Sequence, residues 1–222
     1  MSAYILMRIL ESAPSRYDRG IRILTLGKLD KVYDRLVLRI TSGQQVLDLG
    51  SGTGALALRA AQRGATGKGI EINPQMLAIA RRRASELSLG QNVDFSEMGV
   101  AELDREKAES YNAVMSGLCF SELTEDELTY TLRQVERILK PGGLLLVADE
   151  VMPENIATRV FNWLIRLPLV VITYVITQTI SHAVRDLPQK VKATGLSIEE
   201  LRLNRMGNFL ELVAVKPERR TR

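Results

Sequence analysis

With 222 residues, 45% apolar and 25% charged, the chain suits one α/β domain with decorations, which excludes collagenous, low-complexity and disordered classes. A single cysteine, Cys119, excludes an internal disulfide and any multi-cysteine metal site; no metal is expected, and a reducing cytoplasm suits this usage. The net charge of +4 is spread thinly and aromatics are only 5%, so no nucleic-acid partner is expected.

Residues 1–41 are expected to form a helical extension or lid, with Ile21, Leu24, Leu29, Val32, Leu36 and Ile40 at helical spacing. Its start lacks the basic-then-apolar order of a signal peptide. Tyr17-Asp18 falls between two helices, behind Pro14. The rhythm then changes. Residues 45–49 are a short apolar run ending in glycines, the pattern of a buried parallel strand. A helix over 55–63 stops at Gly64, and a strand over 67–72 leads into Asn73-Pro74, an N-cap followed by proline in the first turn. That helix runs to about residue 89. Strands follow over 93–97 and 111–116, then a helix over 124–139 closed by Lys140-Pro141-Gly142-Gly143, then a fifth strand over 144–149.

An apolar insertion occupies 153–181, and its uncharged stretch over 167–183 is too short for a membrane span. After a helix over 183–193, strands over 197–204 and 209–216 are separated only by Arg205-Met206-Gly207-Asn208, so they must pair as an antiparallel hairpin. The expected fold is α/β: a Rossmann-like, doubly wound, seven-stranded sheet in three α/β/α layers. It is mostly parallel with a C-terminal antiparallel hairpin, and the domain spans 42–222.

Gly50-Ser51-Gly52-Thr53-Gly54 lies between a buried strand and a helix, where glycines allow a tight turn and close approach to a ligand. The helix behind them offers free N–H groups to a carboxylate or phosphate. Glu71 ends the second strand, beside that loop, where a carboxylate can accept from ribose hydroxyls. Gly50, Gly52 and Ala55 also satisfy a loose dinucleotide pattern, so an NAD(P)-binding oxidoreductase is a competing reading. Against it stand the helical residues before the first strand, Asp48 two residues ahead of Gly50, and the terminal hairpin.

Residues 46–54, VLDLGSGTG, resemble the first motif of class I S-adenosylmethionine (SAM)-dependent methyltransferases, and residues 71–77 their acidic second motif. Residues 111–116 and 139–144 are similar to the fourth-strand and pre-fifth-strand motifs of that family. The resemblance implies SAM as cofactor, held by Tyr17, Asp48, Gly50, Ser51, Gly52, Gly54, Glu71 and Ile72. Met98, Gly99 and Val100 would border the adenine, and Ser116 and Leu118 would line the floor near the sulfonium. Two positions depart from the family pattern: Gly99 stands where an acid is common, and Asn112 replaces a frequent aspartate.

Methyl transfer from a sulfonium mainly needs alignment in a dry pocket, so no catalytic residue need stand out. Substrate-side candidates are Glu122, Glu150, Trp163 and His182. The expected acceptor is small and apolar or aromatic: quinone-like, a lipid amine or thiol, or a group carried by a corrinoid or partner protein. A SAM-binding partner subunit without catalysis is a further alternative. Residues 160–177 read as a lid, as a peripheral membrane or partner-protein contact, or as internal packing. No oligomeric state follows from the sequence.

Overall fold

The structure, a computed structural model, describes residues 27–152 and 183–218; Tyr17, Trp163, His182 and the segment 160–177 lie outside the described residues. Helix α1 (Lys28–Val37) buries Leu29, Val32, Tyr33, Leu36 and Val37, the one-sided spacing of an amphipathic helix. The chain continues through β1 (Gln45–Leu49), α2 (Ala55–Gln62), β2 (Thr66–Glu71), α3 (Pro74–Glu86) and β3 (Val93–Glu97). A 3-10 turn (Val100–Arg105) leads to β4 (Tyr111–Gly117), and a second (Phe120–Glu122) leads to α4 (Glu125–Ile138) and β5 (Leu139–Glu150). Helix α5 (Leu187–Ala193) precedes β6 (Ser197–Leu203) and β7 (Phe209–Val215).

The seven strands lie in the order β3-β2-β1-β4-β5-β7-β6. Strands β1 to β5 are parallel, and β7 runs antiparallel to both β5 and β6. Seating β7 beside β5 departs from the 3-2-1-4-5-6 order of dinucleotide domains. Alternation along the strands sends side chains to two layers. Val46, Ala113 and Met115 pack with α1 and α2, whereas Leu47, Leu49 and Val114 join Leu128, Leu132, Leu187 and Val191 from α4 and α5. Helix α3 shares the α2 face through Leu77 and Ala80.

Three boundaries differ from expectation, the first being that α3 ends at Glu86 and not near residue 89, with the Leu87 N–H closing its last turn on Arg83 O. The helix over 124–139 ends at Ile138, because Leu139 takes extended dihedrals and pairs with Tyr111. The ladder then slips, Ala113 facing Leu144, so residues 140–143 bulge from the strand and do not form a separate closing turn. Gly142 and Gly143 in that bulge exchange backbone hydrogen bonds with Lys216, at 2.8 and 2.9 Å. The last helix starts at Leu187, not 183: Val184 bridges to Val151, and Asp186 adopts φ 50.

The Asn73 side chain caps α3, accepting from the N–H groups of Gln75 (2.9 Å) and Met76 (3.3 Å). Asn73→Ala is expected to cost about 1 kcal/mol, lowering the melting temperature by roughly 2–4 °C in a thermal melt.

Candidate functional site

Strand order reverses at β1, whose neighbours β2 and β4 carry the chain away on opposite sides; open α/β sheets in general offer a ligand crevice at such a point, beyond the carboxyl ends of the strands. The loop after β1 takes left-handed dihedrals at Gly50 (φ 59) and Gly52 (φ 53), a conformation that disfavours side chains. Gly50 also passes so close to Cys119 that a Cβ would stand 2.8 Å from its Cβ and Sγ. A Cβ at Gly52 would meet nothing within 4 Å, so that backbone faces open space.

Glu71 ties the loop to the end of β2. One carboxylate oxygen accepts from the Gly52 N–H (3.0 Å) and the other from the Asn73 N–H (2.9 Å). Each oxygen keeps further acceptor capacity for a ligand. A cleft of about 210 Å³ opens here, and it gathers Gly50, Gly52, Glu71, Ile72, Gly99, Val100, Leu118 and Glu122 from among the sequence candidates. Met98, Asn73, Gly117 and Cys119 share its lining. A second cleft of about 500 Å³ lies across the loop, between α1 and α2; Ser51 lines it, with Tyr33 and Arg59.

Other candidates serve the frame of the site. Asp48 is fully buried, and its carboxylate accepts from the Ala57 N–H of α2 (3.0 Å). Burial pushes it up to about 7 against that bond, and the charge of Glu71 adds to the rise. A Cβ at Gly54 would meet Phe95 at 2.9 Å, placing this glycine against the core and not in the cleft. The Ser51 side chain lies against Gly69, and its N–H donates to Ile70 O (2.9 Å). The hydroxyls of Ser51 and Ser116 are buried without a hydrogen-bond partner among the described residues. Glu150 ends β5 opposite Phe209 and does not line this cleft.

Its neighbour Asp149 accepts from the N–H groups of Phe120 (2.8 Å), Ser121 (3.3 Å) and Glu150 (2.7 Å), fixing the turn after β4. Burial pushes Asp149 up to about 7 against these bonds. Burial, then the charges of Glu122, Asp149, Glu71 and Asp48, raise Cys119 well above the ordinary thiol range, so it stays a thiol. The two departures also find partners. The Gly99 N–H donates to Glu102 (3.1 Å), and Asn112 accepts from the Gln45 N–H (3.0 Å) and Lys140 (2.9 Å). Asn112 thereby braces β1 against β4. Sequence reasoning missed Gly117, Cys119 and Tyr33; a glycine closing a strand is a usable sign of close approach, but Tyr33 reads only as a core position.

Among the described residues no helix is long and apolar enough to cross a membrane. Residues 46–143 match the family described as a methyltransferase domain. Over 130 residues the chain is 32% identical to a demethylmenaquinone methyltransferase of Tropheryma whipplei, covering 59% of this chain and 52% of that protein. It is 30% identical over 153 residues to a ubiquinone/menaquinone biosynthesis C-methyltransferase of Pseudoalteromonas translucida, covering 66% and 59%. The chain thus spans between half and three-fifths of the length of these relatives. An O-methyltransferase family protein from Burkholderia thailandensis shares the fold, with a TM-score of 0.71 at 20% identity over 93% of this chain and 60% of that one. Motifs, strand order and these likenesses agree in supporting a class I SAM-dependent methyltransferase.

Proposed function

We propose that this chain binds SAM in the cleft beside Gly50–Gly52 and transfers its methyl group to a small ring-bearing acceptor of the quinone type. The observation that carries the donor reading is Glu71, whose two oxygens are pinned by Gly52 and Asn73 at the cleft lining. There it can accept from vicinal ribose hydroxyls, while Ile72, Met98, Gly99 and Val100 offer apolar and backbone surface for a flat base. The open backbone at Gly52 fits a ligand resting on the loop, and Gly117-Leu118 closes the floor. Bound SAM supplies an activated methyl group, and the protein's task is alignment. Glu122 lines the same cleft and is the candidate acceptor-side acid. The acceptor class rests on the quinone-related names of the two relatives.

SAM or S-adenosylhomocysteine (SAH) at 100 times its dissociation constant is expected to stabilise the fold by about 2.7 kcal/mol, and NAD(P) to give no shift. Labelled SAM with demethylmenaquinol or 1,4-naphthohydroquinone, resolved by mass spectrometry, tests the acceptor. Stabilisation by NAD(P) alone sinks the donor reading. SAM binding without label transfer to either quinol sinks the acceptor reading and favours a non-catalytic subunit. Gly52→Val would fill the open space with a side chain in a left-handed position; it is expected to erase the SAM-induced thermal shift.

A further inference from the structure

We propose that β6 is a homodimerisation edge, on which a second copy of this chain adds its own β6 antiparallel, about a two-fold axis at Leu201. Strand β6 closes the sheet order, so among the described residues only β7 pairs with it. The Asn204 N–H bonds inward, to Phe209 O at 3.0 Å. Inward and outward bonding alternates along an antiparallel strand, so Leu203 and Leu201 turn their N–H and C=O groups away from β7. Such outward groups are a template for another strand.

The side chains select which strand fits. Register with β7 sets Leu201 opposite Leu212 and Leu203 opposite Leu210, on the face that carries α4 and α5. Leu201 and Leu203 are 45% and 52% exposed, although edge strands are usually blunted by charge or covered. Glu200 and Arg202 take the opposite face, where Glu200 accepts from Arg39 of α1 at 2.8 Å. Arg202 pairs along the strand with Glu200 at 2.5 Å, and it lies opposite Glu211, which accepts from Arg35 of α1.

This pattern is complementary to itself. Antiparallel pairing centred on Leu201 brings the two Leu201 side chains together on one face. On the other face it sets Glu200 against the partner's Arg202, once on each side of the axis. Because Leu201 bonds outward, the central pair exchanges two backbone hydrogen bonds. Moving the axis to Arg202 or to Glu200 would oppose like charges; moving it to Leu203 would face Arg202 with the partner's Asn204. Charge and bonding phase therefore select the same register. A space of about 300 Å³ lined by Arg35, Leu38, Arg39, Glu200 and Arg202 leaves room for the incoming side chains beside α1. The bulge between Ile198 and Glu200 confines regular pairing to the residues after it, so the interface is small and association falls in the micromolar range. Antiparallel joining points the carboxyl edges of the two sheets in opposite directions. The cleft beside Gly52 takes no part, and the proposal is independent of the donor reading.

Sedimentation velocity across a dilution series of the full chain tests this. Wild type should pass reversibly from monomer to dimer. Arg202→Glu opposes like charges at two places and should weaken dimerisation by about tenfold or more. Combining it with Glu200→Arg restores opposite pairs and should recover most of the loss. Leu201→Lys places a cation against its own symmetry mate and should leave a monomer. Melting temperatures within roughly 2–4 °C of wild type report that these surface variants are folded. A wild type still monomeric at about 0.5 mM overturns the proposal and leaves the edge to a different occupant. A dimer that survives Leu201→Lys overturns it too, since the contact then lies on another face. So does a loss in Arg202→Glu that the double variant does not recover, because this pair then does not set the register.

Discussion

Glu71→Ala is expected to raise the dissociation constant for SAM by roughly 30- to 150-fold, or about 2–3 kcal/mol. Two losses combine. The variant removes the acceptor proposed for the ribose hydroxyls, and it releases the N–H groups of Gly52 and Asn73, which hold the glycine loop to β2. Hydrogen bonds to a charged group contribute about 1.5–3 kcal/mol each, so losing the ligand bonds alone reaches this range. Glu71→Gln separates the two effects. Its single amide oxygen can satisfy one backbone N–H but not both, so an intermediate loss is expected. Calorimetric titration measures both variants; an Ala affinity within threefold of wild type would remove Glu71 from the donor site.

Asp149→Ala is expected to destabilise the fold by about 3 kcal/mol, lowering the melting temperature by roughly 6–12 °C. Three backbone N–H groups, from Phe120, Ser121 and Glu150, would lose their buried acceptor. The same residue gives stability a pH dependence of unusual sign. Folding raises Asp48 and Asp149 from 3.8 to about 7, so between these values the folded chain binds more protons than the unfolded one. Their contribution is therefore fully present below about pH 4 and is lost as pH rises through 7. Each group weakens the fold at pH 8, relative to pH 5, by an amount on the order of a few kcal/mol. Thermal melts from pH 5 to 8 should show a falling melting temperature, with a shallower fall in Asp48→Asn, whose side chain cannot ionise. An identical slope in that variant would refute the assignment.

Much of the frame was legible in the chain before any coordinates. Strands β1, β3 and β4, the cap at Asn73 and the terminal hairpin follow from local rules: apolar runs between breakers, a side chain that competes for free N–H groups, and a connection too short for a crossover. The bulge over 140–143 was not legible as such, because Lys-Pro-Gly-Gly announces an interruption but not the strand that resumes pairing on either side of it. The last helix shortened for a similar reason: the bridge between Val184 and Val151 pairs residues more than thirty positions apart.

Gly50-Ser51-Gly52-Thr53-Gly54 was conspicuous in the sequence, yet its glycines do different things. Gly50 admits Cys119, Gly52 faces open space, and Gly54 admits Phe95. No spacing rule separates these uses, since each is set by a residue distant in the chain. What the sequence determined by itself was the alternation of strands and helices, the loop and the acid beside it, because these depend on local conformation and periodicity. Tertiary structure alone decided that Asp48 and Asp149 are buried braces, that Glu71 and Glu122 share a cleft, and that Tyr33 of α1 rests on Gly117 of β4. Those are matters of which surfaces meet when the layers close, and packing between distant segments settles them.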